Sequence, residues 1–167
     1  MHWINLIIPG VILLPSLFFF WYSPSGSSEE WEKEQRPLTT ILEWIGRIGI
    51  ILTPIFTSLQ KESIGEDMAV IVMIIFLLIY YACWFRFFAY EMDSYFLYAP
   101  LAGIPLPMAI SPVIYFLFAS YPLHSIPLLI STIIFGIGHI WNTYNSYKQI
   151  MNNRPSYQED EQQEQEE

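Results

Sequence analysis

Apolar residues gather along this chain into five long runs, separated by shorter segments in which the polar and charged residues collect. Each run is too long for a buried strand and lacks the regular polar interruptions of a surface helix, so the pattern predicts helices immersed in a bilayer. The runs cover 3–22, 39–59, 68–88, 100–120 and 127–142. The expected fold is therefore all-α, a polytopic bundle of five transmembrane helices, followed by an acidic tail over 143–167 that reads as disordered.

Prolines qualify this outline. Pro9 and Pro15 fall inside the first run, which neighbouring helices can accommodate by satisfying the freed carbonyls. In the fourth run Pro100, Pro105, Pro107 and Pro112 forbid one continuous helix, and predict an extended lead-in from Tyr95 to Ile104 before a helix from Pro105 or Pro107 to Ser120. Thr39 or Thr40 suits the N-cap of the second helix, and Gln60 to Asp67 reads as a polar loop. The first run has no basic lead and no small-x-small site after it, so a retained helix rather than a cleaved signal is expected.

The basic residues set an orientation. If all five runs cross, Lys33, Arg36, Arg47, Arg86, Lys148 and Arg154 fall on one side and Lys61 alone on the other. This asymmetry predicts an outside N-terminus and a cytoplasmic C-terminus. A fourth run that failed to cross would move Lys148 and Arg154 and erase most of the bias.

Composition agrees with the pattern, with 53% hydrophobic against 14% charged residues. The formal charge of -9 is local: six of the sixteen acids lie between Glu159 and Glu167, so it says little about the apolar body. The one cysteine, Cys83, lies inside a run; it excludes an internal disulfide and is expected to pack as a small hydrophobe.

Candidate chemistry lies in the second and fifth helices. At 100° per residue, Ser131, Thr132, Gly136, Gly138, His139, Asn142 and Thr143 share one arc of the fifth helix, while Ile133, Ile134, Ile137, Ile140, Trp141 and Tyr144 share the other. The small and polar arc should face the bundle. On the second helix Glu43, Gly46, Arg47, Ile50, Thr53, Pro54 and Thr57 form a similar face, with Glu43 and Arg47 spaced to pair. Glu43, Arg47, His139 and Asn142 are thus expected to line a cytoplasm-facing polar crevice, with Arg86 and Glu91 at its rim. Packing alone, or a helix end at the headgroups, would account for the same residues. No HExxH, GxSxG or phosphate-binding glycine loop is present, and no catalytic residue, cofactor or metal is assigned.

The runs Leu42-Glu43-Trp44-Ile45-Gly46-Arg47-Ile48-Gly49, Gly103-Ile104-Pro105-Leu106-Pro107 and Ile134-Phe135-Gly136-Ile137-Gly138-His139-Ile140-Trp141-Asn142 resemble a group of small uncharacterised multi-pass membrane proteins of Gram-positive bacteria. The resemblance covers the apolar body and implies a bacterial plasma membrane, without implying an activity. The leading expectation is a non-enzymatic transport or sensing unit, or an accessory subunit of a membrane complex. Its partners would be the lipid bilayer and either further copies or a membrane protein, with no nucleic acid. The alternatives are an enzyme acting on lipid or phosphate headgroups at the cytoplasmic leaflet, and a self-protection protein against a membrane-active peptide.

Overall fold

A computed structural model describes residues 3–22, 37–57, 63–90, 94–101 and 103–166. Among these residues the fold is all-helical. A 3-10 turn, Trp3–Leu6, leads into α1 (Ile7–Tyr22); α2 (Pro37–Leu52) ends in a second turn, Thr53–Phe56. There follow α3 (Ile64–Ala89), the short α4 (Ser94–Tyr98), α5 (Pro107–Ala119) and α6 (Ile126–Glu166).

Among the described residues, three segments are long and apolar enough to cross a membrane: Leu38–Phe56, Ile64–Ala89 and Ile126–Asn152. Five such helices were expected. The segments Ile7–Ser16 and Pro107–Ala119 are apolar but shorter. At about 1.5 Å per residue, α5 reaches only about 20 Å of a hydrocarbon core about 30 Å thick.

The element ends depart from expectation for local reasons. Helix α2 begins at Pro37, which is preorganised for a first helical turn, so Thr39 lies inside the helix and does not cap it. It stops at Leu52 and not near Leu59, because Pro54 brings no amide hydrogen to the ladder; the Thr53 hydroxyl donates to the Gly49 carbonyl at 2.8 Å. Helix α3 starts four residues earlier than the hydropathy suggests. Ser63 N–H donates to the Glu66 carboxylate at 3.0 Å in a capping box, turning the supposed loop into a first turn.

The lead-in to α5 is not wholly extended, since Ser94–Tyr98 is helical and a single antiparallel bridge joins Leu101 to Ile104. Leu106 then takes a left-handed conformation, φ 60°, and Pro107 opens α5. Helix α6 does not end at Asn142 but continues to Glu166, through a tail rich in the strong helix formers Gln and Glu.

The helices meet around Ile50, Tyr80, Trp84, Tyr115, Phe116 and Phe135. Helices α2 and α6 lie antiparallel along each other: Gly49 abuts Ser131, Gly46 abuts Phe135, and Gly138 abuts Thr39 and Glu43. A Cβ on Gly138 would sit 2.6 Å from the Glu43 amide nitrogen and from the Thr39 carbonyl oxygen. Only glycine permits that backbone approach. Helix α3 packs on α5, and α5 on α6. Cys83 is buried.

The chain start is pinned by an asparagine. Buried Asn5 donates through Nδ2 to the carbonyls of Pro54 (3.2 Å) and Thr57 (2.7 Å), which lie where α2 loses its helical ladder. Helix-end carbonyls need such donors where water is scarce.

Candidate functional site

The close contact of α2 with α6 brings five polar residues together. Glu43 Oε1 accepts from Arg47 Nη2 at 2.6 Å and from His139 Nδ1 at 2.9 Å, while Oε2 accepts from Asn142 Nδ2 at 2.7 Å. Asn142 Oδ1 in turn accepts from the Thr39 hydroxyl at 2.7 Å. The His139 ring stacks on Phe135, with centroids 4.7 Å apart and planes inclined by 17°.

Helical spacing explains the convergence. Phe135, His139 and Asn142 rise along one stripe of α6; Thr39, Glu43 and Arg47 rise at i, i+4 along the facing stripe of α2. Gly138, between them, removes the side chain that would hold the helices apart. The polar arc of α6 faces inward as its pattern predicts, with Thr132, Asn142 and Thr143 buried and Ile133, Ile137, Ile140, Trp141 and Tyr144 exposed.

The cluster is nearly closed upon itself. The side chains of Glu43 and His139 retain 14% and 17% exposure, whereas Arg47 keeps 35% and reaches outward past the Trp44 ring, 5.4 Å from its centroid. An ionised carboxylate has about four lone-pair sites, and three donors already occupy three of those on Glu43. The arrangement is suited to holding a charge between two helices. It leaves little of the carboxylate for accepting a proton from a substrate.

Arg86, expected at the rim, does not join this group. Arg86 Nη1 donates to the Pro100 carbonyl at 3.3 Å, and its guanidinium lies 5.8 Å from the centroid of the Phe96 ring, so it anchors α3 to the segment around α4. Glu91 lies outside the described residues.

A second acid–imidazole pair, missed from the sequence, lies where α3 begins and α5 turns into α6. His124 Nε2 approaches Glu66 Oε1 at 2.9 Å, and the same carboxylate caps Ser63. Glu66 is buried, while His124 is half-exposed, stacks on Tyr121 and has φ 45°. The Ser63-x-x-Glu66 spacing was the available signal, hidden by reading Gln60 to Asp67 as loop. Comparison with protein-family models, curated proteins and solved structures gives no match for this chain.

Proposed function

We propose that this chain is a five-span protein of a bacterial plasma membrane, with its N-terminus outside and its tail in the cytoplasm, acting as a non-enzymatic accessory subunit. One observation carries the non-enzymatic part: the carboxylate at the centre of the candidate site, Glu43, is spent on Arg47, His139 and Asn142. A reaction centre needs at least one such group aimed at a substrate. The six-to-one division of basic residues supports the orientation. In the five-span reading, α4, which buries Leu97 while Ala99 is buried just after it, packs against protein at membrane depth and lengthens the crossing that α5 alone is too short to make.

An accessory role also gives α2 a purpose. Ile41, Trp44, Ile45, Ile48 and Leu52 are all exposed along it, while its opposite face is held to α6. That face is available to a membrane partner. The deciding test places a photo-crosslinking residue at Ile45 and, as control, at Ile74, another exposed apolar position on α3. The proposal expects one protein adduct of defined mass from Ile45 and lipid adducts from Ile74. Lipid adducts alone from both would sink the accessory role, and a tail labelled from outside intact cells would sink the orientation.

A further inference from the structure

The face of α6 turned away from α2 forms, with α5, a groove of about 470 Å³. Val113 and Leu117 make one wall, Ile133, Ile137 and Ile140 the other, and Thr132 and Gly136 the floor. Thr132 presents almost no polar surface to an occupant, because it is fully buried and its hydroxyl proton is committed to the Leu128 carbonyl at 2.8 Å. The groove is closed to polar ligands along its whole depth.

Its two ends differ. Toward the α5–α6 turn it is lined by Leu117, Thr132 and Ile133; toward the tail the groove reaches Trp141 and Tyr144, and one turn further along the same stripe stands Lys148, its Nζ 4.7 Å from the centroid of the Tyr144 ring. From Thr132 to Tyr144 the helix rises about 18 Å, roughly three fifths of a hydrocarbon core about 30 Å thick. Interfacial aromatics and then a lysine follow in the order in which a bilayer passes from chains to headgroups. A cation at that depth favours anionic headgroups.

We propose that the α5–α6 groove is a binding site for an anionic phospholipid, with one acyl chain lying over Gly136 and the phosphate at Lys148. The inference rests on the membrane reading above. A second copy of the chain, or another protein, would fill the groove with side chains and have no need of the lysine.

The test uses the full chain purified in detergent, with carbonate-resistant membrane association checked first, so that failure of the membrane reading is seen separately. Native mass spectrometry then compares retention of phosphatidylglycerol and phosphatidylcholine of the same chain length. The wild type should retain the anionic lipid at least several-fold better. Lys148→Glu should abolish the preference, and Ile137→Trp, which fills the groove from an exposed position, should reduce retention of both lipids, with helical content unchanged in each variant. Equal retention of the two lipids by the wild type, or a preference that survives Lys148→Glu, overturns the proposal. So does disulfide-linked dimerisation of Ile137→Cys in a Cys83→Ser background, which would make the groove an interface between copies.

Discussion

The phenol of Tyr81 donates at 2.8 Å to the backbone carbonyl of Val11. Val11 lies four residues before Pro15, so its carbonyl is the one that Pro15, having no amide hydrogen, leaves without a helical partner. Tyr115 donates likewise to the Ile8 carbonyl, at 3.1 Å. Helix α1 is thus held by hydroxyls from α3 and α5, and its proline is tolerated because a neighbour supplies the donor.

Tyr81→Phe should therefore lower stability by about 1 kcal/mol, the cost of stranding a half-buried acceptor. Pro15→Ala restores an amide to that carbonyl, so Tyr81→Phe should cost less in the Pro15→Ala background. Thermal unfolding in detergent measures both. An equal cost in the two backgrounds would show that the proline and the phenol are unconnected.

The division of α6 into a polar inner arc and an apolar outer arc was legible in the sequence because helical periodicity alone decides it, and so was the meeting of Glu43 with Arg47. Contact of His139 and Asn142 with Glu43 followed from placing both helices in one half of a bundle. Helix ends were less legible, since they turn on single contacts: Pro54 stops α2 early and Glu66 starts α3 early, against the hydropathy. The Tyr81 and Asn5 contacts were invisible for another reason. Each joins segments about 50 to 70 residues apart, and nothing local to either residue names its partner.

Glu43 should bind the two long helices together energetically as it does geometrically. Glu43→Gln and His139→Gln are each expected to lower stability by about 1–3 kcal/mol, below the range for wholly buried pairs because some exposure remains. Combining them should cost clearly less than the sum. Additive losses from the same unfolding measurement would mean that the 2.9 Å contact contributes nothing as a pair.

Backbone proximity makes a contrast among the glycines. Gly46→Ala sets a methyl against the Phe135 backbone, and Gly138→Ala sets one against Glu43 and Thr39; neither backbone can yield without parting α2 from α6. Each should cost about 1–3 kcal/mol or more and loosen the polar cluster. Gly10 in α1 has nothing within 4 Å of its would-be Cβ. Gly10→Ala should be neutral or stabilising by up to about 1 kcal/mol, since glycine in a helix interior is unfavourable. Similar losses at Gly10 and Gly138 in detergent unfolding would refute close approach as the reason for the glycines.

The His124–Glu66 latch separates two effects that a single substitution would mix. His124 holds its backbone at φ 45°, a conformation that costs a residue with a Cβ about 1 kcal/mol, while its ring holds a carboxylate that also caps α3. Both His124→Ala and His124→Gly lose the ring contact, but only glycine is relieved of the backbone strain. His124→Gly should therefore be more stable than His124→Ala by about 1 kcal/mol. Glu66→Ala, which removes the cap and the latch together, should in addition speed amide hydrogen exchange in the first turn of α3. Equal stability of the glycine and alanine variants would show that the turn does not hold His124 in the left-handed region, and unchanged exchange in Glu66→Ala would show that the carboxylate does not secure the start of the helix.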